Sequence, residues 1–128
     1  MSELFDGFVA VVDDDPSVRR ALTRLLASVG VPCLAHGSGS EFLESPRLHD
    51  FDCLILDVHM PRMSGIEVLE AIQVAASKLP VVLMTARYDV DFAEKTLAAG
   101  ASAFLRKPFT EDELFAAVSE ATGMVLEA

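Results

Sequence analysis

Residues that could bind a metal ion and a phosphoryl group follow four short apolar runs of the sequence. Acids follow two of the runs, a hydroxyl residue follows the third and an amine the fourth: Asp13, Asp14 and Asp15 after 8–12, Asp57 after 54–56, Thr85 after 81–84, and Lys107 shortly after 103–105. If the runs are parallel strands, their carboxyl ends lie at the same edge of a sheet, where open α/β proteins bind ligands. We therefore predict that these side chains meet in one site.

The residue types in this set suggest metal-assisted phosphoryl chemistry. Carboxylates held together repel by about 4 kcal/mol per close pair at an effective dielectric near 20, which calls for a cation. Oxygen ligands favour Mg²⁺, with Mn²⁺ as an alternative, over zinc. Asp57 stands alone at its strand end, facing the pair Asp13 and Asp14, and is the best nucleophile for an activated phosphoryl group. Lys107 and Thr85 would stabilise the outer phosphoryl oxygens.

Composition bounds the class of protein. The chain has 128 residues, 52% of them hydrophobic and 23% charged, as expected for one globular domain. A formal net charge of -10 argues against direct binding of nucleic acid. No apolar stretch approaches the ~20 residues that span a membrane, and Glu3 and Asp6 stand where a secretory signal would be basic. Cys33 and Cys53 lack metal-like spacing, so we expect buried thiols and a cytoplasmic location.

Helical patterns alternate with the apolar runs. Apolar residues at helical spacing fill 18–29, where Asp15 is placed to cap the helix, Pro16 suits its first turn and Gly30 its exit. A fourth helix is predicted from about Asp89 to Ala99, ending at Gly100. Three further helices are predicted to begin with a capping box: Ser38 with Glu41, Ser64 with Glu67, and Thr110 with Glu113.

Strict alternation of five strands and five helices predicts an α/β fold, a doubly wound parallel sheet of the flavodoxin-like (βα)5 type. The second strand, 31–35, contains Pro32, which cannot donate to a central ladder and therefore indicates an edge position. The continuous apolar runs suit the centre of the sheet. The strand order 2-1-3-4-5 satisfies both conditions and places Asp13 and Asp14 beside Asp57. We expect residues 1–128 to form a single domain, with a core at about 7–122.

Four short motifs resemble those of bacterial two-component response regulator receiver domains. The segment DVHMPRMSG at 57–65 matches the D-x-x-M-P-x-x-x-G phosphorylation motif of that family. The family's three other signatures are also present, and the four motifs stand in the family's order: VDD at 12–14 before this segment, and TA at 85–86 and KPF at 107–109 after it. The resemblance covers roughly residues 7–122 and implies a chemotaxis-regulator-like fold. It also implies a signalling switch rather than an enzyme, phosphorylated by a sensor histidine kinase or a phosphotransfer protein.

The resemblance assigns roles to individual residues. Asp57 is the expected phosphoacceptor. Asp14, Asp57 and the backbone carbonyl of His59 are expected to hold Mg²⁺, and Asp13 to act through a metal-bound water. The side chain of His59, and Arg87 two residues past Thr85, are expected to modulate how easily water reaches the phosphoryl group.

A second set of roles concerns the switch. Thr85 is expected to bond one phosphoryl oxygen and Lys107 to pair with another, with a cis bond between Lys107 and Pro108. Movement of Thr85 would open space for Phe104, three positions before the lysine. The surface at roughly 88–121 would then report the change to an output domain or partner, with a homodimer on phosphorylation among the expected responses.

Three alternatives remain at this stage. A haloacid-dehalogenase-like phosphotransferase would use Asp13 as nucleophile, because DDDPS at 13–17 superficially fits its D-x-D-x-T/V loop. Position 17 is serine, and the chain is short for that fold's added sheet and cap. A flavodoxin-type module shares the sheet order but needs a Ser/Thr-rich phosphate loop after the first strand. An interaction-only receiver without phosphorylation is the third reading, and the complete set of site residues argues against it.

Overall fold

Five short apolar segments form the strands of an open parallel sheet. The computed structural model describes residues 6–76, 78–86 and 90–126. The strands are β1 Val9–Val12, β2 Cys33–His36, β3 Cys53–Asp57, β4 Val81–Thr85 and β5 Ala103–Arg106. The helices are α1 Pro16–Ala27, α2 Gly39–Leu43, α3 Gly65–Ala75, α4 Val90–Ala98 and α5 Glu111–Thr122. All pairings are parallel, and the predicted order β2-β1-β3-β4-β5 is confirmed.

Burial separates the central strands from the edge. Every residue of β1, β3 and β4 is buried, as expected for strands covered by helices on both faces. Strand β2 lies at the edge, as predicted, but begins at Cys33 and not at Val31. Pro32 has no N–H for the ladder, and it contributes only its carbonyl, which accepts the Val9 N–H at 3.1 Å.

Two helix layers hold the sheet. On one face, α1 and α5 pack against it through Leu22, Leu26, Leu114 and Val118, all fully buried. On the other face, α2 and α3 pack against the sheet through Phe42, Val68, Leu69 and Ile72. None of the helices in the described ranges is long and apolar enough to cross a membrane. Packing on both faces fixes the strand ends relative to one another.

The helix starts largely follow the predicted caps. The Asp15 side chain accepts the Ser17 N–H at 2.8 Å and caps α1, while α3 and α5 begin with complete capping boxes. Helix α4 falls within the predicted range and ends shortly before Gly100, whose φ is +108°. Its expected first residue, Asp89, lies outside the described residues.

Between β2 and β3, one local prediction needs correction and one short element was not predicted. The capping box expected at α2 is incomplete: Ser38 accepts the Glu41 N–H at 3.1 Å, but the Glu41 carboxylate accepts the Gly37 N–H. The Arg19 guanidinium lies on the same side of Gly37 and attracts that carboxylate. A short 3-10 helix at Leu48–Asp50, which the sequence pattern did not reveal, follows α2.

Candidate functional site

Three carboxylates converge at the carboxyl edge of the sheet. Val12 pairs with Leu56 in the β1–β3 ladder, so the residues that follow each strand lie at the same level. One carboxylate oxygen each of Asp13, Asp14 and Asp57 lies within 4.8 Å of the others. Asp13 and Asp57 are buried, and Asp14 is exposed. The structure therefore brings together the three acids selected from the sequence.

Asp13 is held by its neighbours through each of its polar groups. Its N–H donates to the carbonyl of His36 at 3.1 Å, which continues the β1–β2 ladder. Its carboxylate accepts the Asp15 N–H at 2.9 Å on Oδ1 and the Lys107 ammonium at 2.8 Å on Oδ2. Its carbonyl accepts the Arg19 guanidinium at 2.8 Å. Asp13 is thus a rigid anchor of the site.

Asp57 is equally buried but far less constrained. Its Oδ1 has two long contacts of 3.4 Å, one to the His59 N–H and one to Lys107 Nζ. Within the described part of the chain, its Oδ2 accepts no hydrogen bond. Burial, and after it the charge of Asp13, raises the pKa of the Asp57 carboxyl, against the opposing effect of Lys107. Of the two buried acids, Asp57 is therefore the one that keeps acceptor capacity unused by the described residues.

The ammonium group of Lys107 contacts both buried acids, Asp13 and Asp57. Strand β5 ends one residue before it, and its N–H donates to the carbonyl of Thr85 at 2.8 Å. The Lys107–Pro108 bond is cis, as the resemblance implies. Burial alone would lower the pKa of Lys107, but the hydrogen bond and charge of Asp13 and the charge of Asp57 outweigh it and raise that pKa. The amine is therefore held as a cation.

The expected switch residues lie on adjacent strands. Thr85 is the last residue of β4 and is fully buried beside Arg106 in the β4–β5 ladder. Phe104 lies on β5 and is half-buried. Its ring centroid is 6.4 Å from that of Phe92 on α4. Phe104 therefore connects the strand that leads to Lys107 with the α4 surface.

The structure describes one of the two residues that are expected to modulate how easily water reaches the phosphoryl group. The His59 side chain is exposed at the mouth of the site, while its N–H contacts Asp57 as described. Arg87 lies outside the described residues.

Two residues of the site region were missed by sequence reasoning. Arg19 contacts the Asp13 carbonyl from the first turns of α1, and the signal was its position one turn after the capping Asp15. Gly65 begins α3 with its N–H donating to the Val58 carbonyl at 3.0 Å. A Cβ at Gly65 would lie 2.6 Å from the backbone oxygen of Asp57. It was recognised as a motif letter, but its packing role was not.

The donor set suits a hard divalent cation. Carboxylates from two strand ends, with one of them exposed, leave room for water and phosphate oxygens, as Mg²⁺ prefers. Tetrahedral zinc sites are built mainly from nitrogen and sulfur ligands, whereas the three described residues whose ligand atoms come together here all offer oxygen. The arrangement combines a weakly bonded buried carboxylate, a group of acids that could hold a cation, and a fixed ammonium group.

Comparison with known proteins identifies a family whose model matches most of this chain. A family model described as the response regulator receiver domain matches residues 9–119. The DNA-binding transcriptional regulator NtrC of Escherichia coli is 42% identical over 115 residues, which is 90% of this chain and 24% of that protein. The transcriptional regulatory protein FixJ of Azorhizobium caulinodans is 37% identical over 119 residues, covering 93% of this chain and 56% of that protein.

A solved structure agrees with the sequence relatives. The crystal structure of a response regulator receiver protein from Burkholderia phymatum matches with a TM-score of 0.82 and 43% identity. The match covers 96% of this chain and 100% of that one. The chain spans between 24% and 56% of the length of the two curated relatives.

Proposed function

Because the chain belongs to the family of response regulator receiver domains, we propose that Asp57 is its phosphoacceptor in two-component signalling. The observation that carries this assignment is the contrast between the two buried acids. Asp13 uses both carboxylate oxygens in short hydrogen bonds, whereas among the described residues Asp57 has only long contacts, and one of its oxygens accepts no hydrogen bond. A nucleophile needs an available lone pair, and Asp57 has one.

The same contrast argues against the phosphotransferase alternative, in which Asp13 would attack. Attack by Asp13 would draw charge from an oxygen that already accepts a short hydrogen bond, either the 2.8 Å bond from Lys107 or the 2.9 Å bond from the Asp15 N–H. Weakening either bond would lose part of the about 1.5–3 kcal/mol that a hydrogen bond to a charged group contributes. Asp13 instead fits the role of an anchor beside the nucleophile.

The proposed metal is Mg²⁺, with Mn²⁺ as the alternative. Asp14, Asp57 and the backbone carbonyl of His59 would hold it, and Asp13 would act through a bound water. When bound, the ion offsets the charge of the acids and polarises phosphoryl oxygens. Asp57 and Lys107 are already arranged by the protein, because Lys107 holds the two buried acids together.

The proposed donor is a sensor histidine kinase or a phosphotransfer protein. One carboxylate oxygen of Asp57 forms the new bond to phosphorus, the bond from phosphorus to the donor's histidine nitrogen breaks, and that nitrogen keeps the electron pair. Lys107 would then pair with one phosphoryl oxygen, and the Thr85 hydroxyl would donate to another. Phosphorylation adds negative charge and new acceptors, which is the source of the switch.

The output is proposed from the relatives. NtrC and FixJ are named as transcriptional regulators, and this chain spans only part of their length. We infer that a receiver core at about 7–122 controls an output domain or a partner through the surface formed by α4, β5 and α5, including by homodimerisation. The free thiols of Cys33 and Cys53 suit a reducing compartment, so the cytoplasm is the proposed location.

Acetyl phosphate provides the direct test of the proposed chemistry. With Mg²⁺ present, the protein should gain the mass of one phosphoryl group, and chelation of the metal should prevent it. Intact mass measures the uptake, and gel filtration of the same sample reports any dimer. Uptake that persists at the same rate after chelation would contradict the metal assignment.

The switch role of Phe104 leads to a separate expectation. Phe104→Ala should still be phosphorylated, because no described contact joins the ring to Asp13 or Asp57, but most of the phosphorylation-dependent amide shifts in α4 and α5 should disappear. Truncation of a half-buried ring should also cost about 2 kcal/mol of stability. Phe8→Ala is a matched control, since Phe8 is half-buried at the opposite end of the sheet against Phe51. Wild-type shifts in the Phe104 variant would remove this residue from the switch.

A further inference from the structure

Arg19 reaches back from α1 to the peptide that joins the two acids at the end of β1. Its Nη1 donates to the Asp13 carbonyl at 2.8 Å, six residues earlier in the chain. We propose that Arg19 is a positioning residue that sets the direction of the Asp14 carboxylate before a cation binds. The proposal rests on the function proposed above and adds a residue to the site.

The peptide geometry gives the contact its effect. The carbonyl of Asp13 and the N–H of Asp14 belong to one planar peptide unit. A hydrogen bond that fixes the carbonyl therefore fixes the plane from which the Cα of Asp14 continues. The N–H of Asp13 is already fixed by the carbonyl of His36 at 3.1 Å. Arg19 completes the constraint on the side that faces Asp14.

Asp14 depends on this constraint more than its neighbours do. Asp13 and Asp57 are buried and contact Lys107, which restrains their side chains. Asp14 is exposed, and within the described ranges its carboxylate accepts no hydrogen bond. No described hydrogen bond holds its rotamer, so the constraint that the protein places on this carboxylate is the backbone, through the direction of the Cα–Cβ bond. An acid that must meet two others within 4.8 Å benefits from a backbone that is already fixed.

The surroundings of Arg19 support a directional role. A Cβ at Gly37 would lie 3.3 Å from Arg19 Nη1 and 3.7 Å from Glu41 Oε2, so the guanidinium and this carboxylate flank the same point. The Glu41 charge partly offsets the guanidinium charge. Any remaining positive charge would repel a divalent cation. If the charge of Arg19 dominates, its removal should strengthen Mg²⁺ binding. If its positioning role dominates, its removal should weaken Mg²⁺ binding.

Arg19→Met separates the two effects, because it keeps an unbranched apolar stem and removes both charge and donors. Arg20→Met is the matched control, since Arg20 is exposed on the same helix and its loss changes net charge equally. The affinity for MgCl₂ is measured by calorimetry on unphosphorylated protein. The three-bond coupling between the Asp14 amide and α protons, measured by NMR without metal, reports the Asp14 backbone angle. Arg19→Lys tests whether a charged donor of shorter reach restores part of the effect.

We expect Arg19→Met to weaken Mg²⁺ binding about 10-fold and to shift the Asp14 coupling toward a conformational average. Arg20→Met should leave the coupling unchanged and the affinity unchanged or slightly higher, with Arg19→Lys intermediate. Equal affinities and couplings in both methionine variants would overturn the positioning role while leaving the proposed function intact. A wild type that fails to bind Mg²⁺ would contradict the proposed metal site, and an unchanged Asp14 coupling would still contradict the role of Arg19.

Discussion

Replacement of Asp57 by asparagine should abolish phosphoryl uptake. The amide removes the charged oxygen that is proposed to attack phosphorus and leaves the shape of the side chain almost unchanged. Asp57 is buried at the end of β3, and one of its oxygens accepts no hydrogen bond from the described residues, so no other described acid offers the same combination. The measurement is intact mass after incubation with acetyl phosphate and Mg²⁺, with peptide mapping of any residual label.

Asp13→Asn is the control that identifies the nucleophile. It removes the same unit of charge from the same site, but Asp13 is expected to act as an anchor for Lys107 and for the metal-bound water. Labelling should persist on Asp57, with Mg²⁺ affinity lowered about 10- to 100-fold. The opposite result, in which Asp13→Asn abolishes the label and Asp57→Asn retains it, would favour the phosphotransferase alternative.

Stability measurements show whether the Asp57 variant is folded. Burial, and then the charge of Asp13, raises the pKa of Asp57 in the folded protein, so the folded state holds the proton more tightly than the unfolded chain does. Stability therefore falls as pH rises from roughly 4 through the folded pKa. Asp57→Asn lacks this loss and should be more stable than the wild type at pH 7 without divalent cations. Urea unfolding at several pH values should show the difference shrinking toward pH 4.

Strand order and the meeting of the acids could be predicted because both depend on patterns of several residues. Continuous apolar runs mark the central strands, and Pro32 marks an edge. Once the order is set, the ends of β1 and β3 must be neighbours, and Asp13 and Asp57 come together without further assumptions. A prediction of this kind tolerates errors of one or two residues in strand boundaries, as at β2.

Contacts between single side chains could not be predicted in the same way. The bond from Arg19 to the Asp13 carbonyl depends on the rotation of α1 about its axis and on one rotamer, which no periodic pattern encodes. The Glu41 carboxylate could reach either of two adjacent N–H groups, and in the folded chain it accepts the Gly37 N–H. Such choices depend on groups brought together only in the folded chain.

Gly65, the glycine of the D-x-x-M-P-x-x-x-G motif, is required by close packing. It is the first residue of α3, and its N–H donates to the Val58 carbonyl at 3.0 Å. A Cβ there would lie 2.6 Å from the Asp57 carbonyl oxygen and 2.7 Å from the Val58 Cα. Both are backbone atoms of the segment that carries Asp57, the proposed nucleophile. They cannot move aside as the end of a flexible side chain can. Glycine allows α3 to approach the end of β3.

Gly65→Ala should therefore destabilise the protein by about 3 kcal/mol, the upper end of the range for overpacking. The added methyl group pushes α3 away from the strand end or distorts the backbone of Asp57, so phosphoryl uptake should also slow in the fraction that remains folded. Gly30→Ala is the control: nothing lies within 4 Å of its Cβ position, and only its φ of +77° is unfavourable for alanine. That variant should lose about 1 kcal/mol. Urea unfolding compares them, and equal losses would show that the close approach of α3 to Asp57 is not what requires glycine.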